Sequence, residues 1–193
     1  MRNAWVTALV LAGSIAPDVL TPQLADAFEK KIVQVQAQAE QKAAQDRPTT
    51  FTQAETNSYL KYKATDLLPT GLTQPMITMI GDGKVAGQAV VDLDVVRQKQ
   101  SKGGWFDPTS YLTGQLQVNA SGRIVTGDGK GRFELESAEV SGVPIPKSFL
   151  GQMVNFFTRT ADNPRGSSMD DTFQLPANIT RIDVNAASFT VHQ

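Results

Sequence analysis

From Lys84 to about Arg97 the chain alternates with a period of two. Val85, Gly87, Ala89, Val91, Leu93 and Val95 share one parity, and Lys84, Ala86, Gln88, Val90, Asp92 and Asp94 share the other. Successive side chains of a strand point to opposite faces, so the run predicts a strand with one apolar and one polar side. At about 3.3 Å per residue it would reach roughly 45 Å, far beyond the usual strand of about 5–6 residues. Such a strand has to bend or twist, and Gly87 is a natural place for it. The same alternation appears in Met76, Thr78 and Ile80, ahead of a hairpin signal at Gly81-Asp82-Gly83. It returns in Leu112, Gly114, Leu116, Val118 and Ala120, with a turn expected at Asn119-Ala120-Ser121-Gly122. A second long extended stretch covers 123–142. Ile124, Thr126, Phe133 and Leu135 keep one parity there until it slips near Ala138 and Val140, the mark of a bulge.

Helical patterns bracket these strands. Residues 28–46 are rich in Ala, Gln, Glu and Lys and lack Gly and Pro, which favours a helix. Their stripe, Phe28, Ile32, Val35, Ala39 and Ala43, is thin and suits a surface or partly detached helix. Thr52-Gln53-Ala54-Glu55 is a capping-box pattern and opens a helix through Leu60 that ends before Pro69. Val143-Pro144-Ile145-Pro146 closes the strand run. Lys147 to Thr158 then places Phe149, Met153, Phe156 and Phe157 on one helical stripe, widened by Leu150 and Val154. A loop over 159–171 precedes short strands at Thr172–Leu175, Ile179–Val184 and Ser188–Val191. Strand runs bracketed by helices predict an α+β fold with antiparallel pairing.

The N-terminus has a different character. Met1-Arg2-Asn3 carries one positive charge, and Ala4 to Ala16 is uncharged and mostly apolar. That run has the size of a secretory h-region and falls short of the roughly 17–25 residues of a membrane span. Pro17 and Pro22 should break any helix. Ala25-Asp26-Ala27 fits a small-x-small cleavage site, and Ser14-Ile15-Ala16 fits less well because Pro17 follows it. The expected organisation is a signal peptide over 1–27, an N-terminal helix over 28–47 and one α+β domain over 48–193. The implied location is extracytoplasmic, in a periplasm or secreted. An amphipathic or buried N-terminal helix is the other reading of this segment.

Composition narrows function more than it defines it. Eighteen Lys and Arg stand against 19 Asp and Glu in 193 residues, without the basic excess of a nucleic-acid binder. There is no Cys and one His, His192. Disulfides, thiolate zinc sites, iron–sulfur clusters and a Cys nucleophile are excluded, and His192 reads as an exposed terminal residue. Gly127-Asp128-Gly129-Lys130-Gly131 and Gly81-Asp82-Gly83-Lys84 lack phosphate-loop spacing and strand–helix context, so both read as turns or bends. Asp92 with Asp94, and Asp170 with Asp171, read as solvated carboxylates. No Ser lies in a nucleophile elbow. No catalytic residue, metal ligand or cofactor is assigned, and the chain is read as non-enzymatic. Trp105 and Phe106, beside Lys99 and Lys102, suit either transient membrane contact or a plug folded onto the sheet.

Three segments taken together carry a resemblance. They are Phe51 to Leu60, with Glu55, Asn57 and Leu60 as an acidic-x-Asn-x-x-Leu helix; Leu135 to Pro146 (LESAEVSGVPIP); and Phe173-Gln174-Leu175-Pro176 followed by Ile179 to Val184. The pattern resembles bacterial exported proteins of the tubular lipid-binding (TULIP-like) kind and related AsmA-like sheets, over about residues 50–192. The resemblance implies a long, strongly curved antiparallel sheet wrapped around an amphipathic helix, a half-barrel with an apolar seam for acyl chains. Small Gly, Ala and Val side chains on the sheet, beside adaptable Met and Phe on the helix, leave room for such a groove. The expected lining is Leu60, Val91, Leu93, Phe149, Met153, Phe156 and Phe157, and the expected partner is a lipid or another hydrophobic small molecule. The alternative is a structural or envelope-assembly domain of the same fold with a filled core.

Overall fold

The computed structural model describes residues 19–41, 47–99, 113–157, 164–166, 168–169 and 171–193, with backbone only at Arg97, Lys99, Met153, Val154, Phe156 and Phe157. Helix α1 spans Pro22–Glu40. It starts ahead of the expected Phe28 because Pro22, read from sequence as a breaker, occupies the first turn, where its missing N–H costs nothing. Thr21 caps it, accepting the Leu24 N–H through Oγ1 at 3.2 Å. The helix runs unbroken through Ala25-Asp26-Ala27. Strand β1 (Thr49–Thr52) then feeds α2 (Gln53–Tyr62), followed by a 3-10 turn at Thr65–Leu67. The capping box forms as expected: Glu55 N–H donates to Thr52 Oγ1, and Thr52 N–H donates to Glu55 Oε2.

Next come β2 (Leu72–Gly81), β3 (Lys84–Asp92), α3 (Leu93–Lys99), β4 (Gln115–Gly127), β5 (Lys130–Val140) and β6 (Val143–Pro144). The chain closes with α4 (Lys147–Phe157), β7 (Phe173–Gln174), β8 (Arg181–Asn185) and β9 (Ser188–His192). The protein is thus α+β, with a six-stranded antiparallel sheet ordered β2-β3-β4-β5-β6, β7 also pairing with β5, and a three-stranded sheet ordered β1-β9-β8. Asp82 and Gly83, then Asp128 and Gly129, take positive φ at the β2–β3 and β4–β5 turns. Asp-Gly is the pair such hairpin turns require.

Three sequence expectations need correction. The strand beginning at Lys84 stops at Asp92 rather than running to Arg97, because the Asp92 carboxylate accepts the N–H groups of Asp94 and Val95 and opens α3. Asn119-Ala120-Ser121-Gly122 is not a turn: β4 runs straight through it. Gly122 serves close packing there, since a Cβ would lie 2.5 Å from the Glu134 carbonyl and from the Phe133 ring. The stretch 123–142 is two strands of a hairpin, β4 and β5. The bulge read from the parity slip does occur, with Ser121 opposite Ser137 and Gly122 opposite Leu135, which leaves Glu136 as the extra residue.

Among the described residues, the core cluster lies between α1, α2 and the small sheet, where Phe28, Val35, Phe51, Ile179 and Val191 gather with Tyr59 and Phe189 around them. The Phe51 ring lies 5.0 Å from Phe28 and stacks at 4.8 Å on Phe189, and Phe28 lies 4.7 Å from Tyr59. The thin stripe of α1 is therefore a core face, not a detached one.

Polar side chains join these layers. Lys31 on α1 bonds both Glu55 carboxylate oxygens at 2.7 Å and the Thr50 carbonyl at 2.8 Å. Burial works against the charge on Glu55, but the bonds from Lys31 and Thr52 outweigh it and hold the carboxyl below its ordinary range. As pH falls below about 4.3, the unfolded chain takes up a proton at this position before the folded one does. The stabilisation from Glu55 is thus full above that pH and drains away below it. Glu55→Gln is expected to cost about 1–2 kcal/mol at neutral pH. It should also flatten the decline in urea midpoint between neutral and acid pH, and an unchanged acid slope would contradict this account.

The β2 edge is sealed by α2. Asn57 donates from Nδ2 to the Ile77 carbonyl at 2.8 Å and accepts the Ile77 N–H through Oδ1 at 2.7 Å, so its amide replaces a neighbouring strand. Gln53 Oε1 accepts the Met79 N–H at 2.8 Å, and Ala187 N–H donates to the Met79 carbonyl at 3.0 Å. Pro75 offers no N–H at all. An outer strand whose groups are occupied in this way is protected against pairing with other chains.

Candidate functional site

Register sorts the large sheet into two chemically different faces. Opposed residues of an antiparallel pair point the same way. Leu72, Val91 and Leu116 therefore form one row across β2, β3 and β4, and Ala89, Val118 and Val140 form the next across β3, β4 and β5. Ile77, Gly87, Ala120 and Ala138 continue the same face. Most of its larger members are half-buried rather than sealed. The opposite face carries Gln88, Asn119 and Glu139 in one row and Thr78, Ala86, Ser121 and Ser137 in the next.

The residues expected to line an apolar groove are distributed over this frame. Val91 is half-buried in its apolar row, and Leu93, 8% exposed, opens α3 beside it. These two flank one strand–helix junction. Leu60 is half-buried on α2, which packs against β2, while Phe149 is 46% exposed on α4, which adjoins β5. Three strand spacings, about 14 Å, separate β2 from β5. Met153, Phe156 and Phe157 belong to α4, and their side chains lie outside the described residues. Trp105 and Phe106 also lie outside the described residues. Val143 and Phe173, on strands paired to opposite ends of β5, are 61% and 50% exposed, and Val143 lies at the end from which the chain leads into α4 and Phe149.

A shallow open depression of about 360 Å³ lies on the polar face, lined among others by Gln88, Gln117, Asn119, Ser121, Ser137 and Glu139. Of the expected lining residues with described side chains, Leu60, Val91, Leu93 and Phe149, none borders it. Sequence reasoning passed over this face as merely solvated. The available signal was its composition, in which amides and hydroxyls outnumber charges on the polar parity of β3 and β4.

The remaining motifs resolve into structural roles. Asp92 caps α3, and its carboxyl is held below the ordinary range by the hydrogen bonds from Val95, Gln115 and Asp94. Asp94 Oδ2 accepts the Gly114 N–H at 3.1 Å, so this pair is not simply a solvated face. Asp171 accepts the Ser168 N–H, while Asp170 lies outside the described residues. His192 is not an exposed terminal residue: it lies in β9, its side chain is 15% exposed, and Nε2 is 3.0 Å from Asp183 Oδ2. Among the described residues, no group of three or more His, Asp or Glu is placed to hold a metal ion. No described helix is long and apolar enough to cross a membrane. Compared with protein-family models, curated proteins and solved structures, the chain matches none.

Proposed function

We propose that this chain is an exported, non-enzymatic binder of lipid or another hydrophobic ligand, seated on the apolar face of the large sheet. The observation that carries the reading is the half-buried band Leu72–Val91–Leu116 and Ala89–Val118–Val140, continued on the β5 side by exposed Val143 and by α4 with exposed Phe149. Contiguous apolar surface of this kind marks a place of interaction. Each CH₂ that a guest buries there gains about 0.8 kcal/mol, so an acyl chain needs no catalytic group to be held. The TULIP-like half-barrel is part of this proposal. In its favour, Glu55, Asn57 and Leu60 fall on α2, and the VPIP segment leads from β6 into α4, as in the resembling pattern. The bulges at Thr73/Met76 and Ser121/Gly122 supply local bending. The extracytoplasmic location rests on the leader-like N-terminus, and membrane contact through Trp105 and Phe106 belongs to the same proposal.

A second reading is favoured by the tightly filled cluster around Phe51: a structural or envelope-assembly domain that carries no ligand. Native mass spectrometry of the purified protein, before and after solvent extraction, separates the two. The lipid reading expects an extractable adduct and uptake of cis-parinaric acid. It also expects Phe149→Ala to weaken uptake several-fold while changing stability by no more than about 0.5 kcal/mol, as for an exposed site. Absence of both adduct and uptake would leave the structural reading in its place.

A further inference from the structure

We infer that the polar face of the large sheet is a second binding site, one that takes a neutral, polyhydroxylated ligand such as a short saccharide. Its floor is low because Ala86 stands between longer residues, with the backbone at Gly87 and Ala120 forming the rest of the floor. Gln88, Gln117 and Asn119 stand around that floor with Glu139 and the mutually bonded pair Ser121 and Ser137, whose hydroxyls are 2.7 Å apart. Among the described residues, no hydrogen bond engages the side chains of Gln117, Asn119 or Glu139, although Asn119 and Glu139 are half-buried. Gln88 makes only a 3.5 Å contact to the Met76 sulfur.

The chemistry of the lining selects the ligand. A carboxamide donates through N–H and accepts through oxygen, and a sugar hydroxyl does both, so amides and vicinal hydroxyls satisfy one another in pairs. Glu139 adds acceptors for hydroxyl donors. Among the described residues, no Lys or Arg lines the depression. The nearest cations on this face are otherwise engaged: Lys84 faces Glu136 at 3.8 Å, and Arg123 donates to the Asp82 carbonyl. A phosphate or carboxylate would therefore meet Glu139 with no countercharge. A peptide strand is excluded by topology, because β3 and β4 are bonded on both sides and offer no free ladder at mid-face. The volume of about 360 Å³ is at the small end for ligand sites and equals about a dozen waters at about 30 Å³ each. That is room for about one or two sugar rings. With no aromatic ring among the described lining residues, binding is expected to be weak and specific rather than tight.

The test is a titration of the ¹⁵N-labelled full chain, followed by NMR, with maltotriose, cellotriose and triacetylchitotriose at millimolar concentration. At least one should shift the side-chain amides of Gln88, Gln117 and Asn119 saturably, with the apolar face unmoved. Asn119→Ala should weaken that binding about tenfold, and far-ultraviolet circular dichroism should confirm that the variant is folded. Glu139→Gln, which keeps the shape, should retain binding of the neutral sugar within a few-fold. If all three sugars leave these amides unmoved, or if glucose 6-phosphate shifts them more strongly than any neutral probe, the inference fails. Lipid uptake on the opposite face is a separate measurement, so either site can be lost without the other.

Discussion

A chain that begins at Phe28 is expected to be at least about 3 kcal/mol less stable than one that begins at Val19. The residues between them are working parts of the fold. Thr21 caps α1, and its own N–H donates to Ser58 Oγ at 3.2 Å. Tyr62 donates its hydroxyl hydrogen to the Leu20 carbonyl, Ala25 is fully buried, and Asp26 pairs with Lys63. Lys63 in turn holds the Asp26 carboxyl below its ordinary range. Removing the segment deletes a cap worth about 1 kcal/mol. It also leaves Ser58, which has no exposure at all, without its partner, and an unsatisfied buried group costs about 1–3 kcal/mol. The cut further places a charged amino terminus on Phe28, a core residue. Urea unfolding of the two truncated chains measures the difference. Equal midpoints would mean that the first turns of α1 carry no stability, and a cut after Ala27 would then be compatible with folding.

Phe51→Ala is expected to cost about 3–5 kcal/mol, the range for a fully enclosed aromatic. Phe51 has no exposed surface and lies against Phe28 on α1 and Phe189 on β9, so its loss opens a cavity bordered by two elements from opposite ends of the chain. Neither can collapse inward without dragging the small sheet or α1 with it. Lys31 also sits over the ring, 5.8 Å from its centre, and loses that contact. The measurement is the urea midpoint at constant slope. A cost below about 1 kcal/mol would show that this cluster is not the centre of stability.

Local chemistry was legible in the sequence where the deciding residues are neighbours. The Asp-Gly turns, the Thr52/Glu55 capping box, the Phe/Met helix and the parity slip in β5 all announce themselves within a few residues. Other features depended on contacts that no window of sequence contains. Leu93 and Val95 continue a strand alternation, yet Leu93 and Val96 also stand at helical spacing, and the burial of these two goes with the helix that Asp92 caps. Asn119 to Gly122 has the composition of a turn, but its glycine answers to Phe133 on the neighbouring strand. The stripe on α1 looked too thin to bury because its partners Phe51, Ile179 and Val191 lie far along the chain. The two faces of the sheet could be assigned by parity alone. Which of them carries a hollow depended on Ala86 lying between Thr78 and Ser121 across three strands, a matter of register rather than of pattern.

The sealed rim of β2 has a consequence for self-association. An endless ribbon of sheets needs each molecule to offer two open rims, one to receive and one to give. Here Asn57, Gln53 and Ala187 occupy one of them with the molecule's own groups. Copies meeting through the other rim of the large sheet could stop at a pair but could not extend that sheet into a filament, so two side chains on a short helix act as a chain terminator for this mode of assembly.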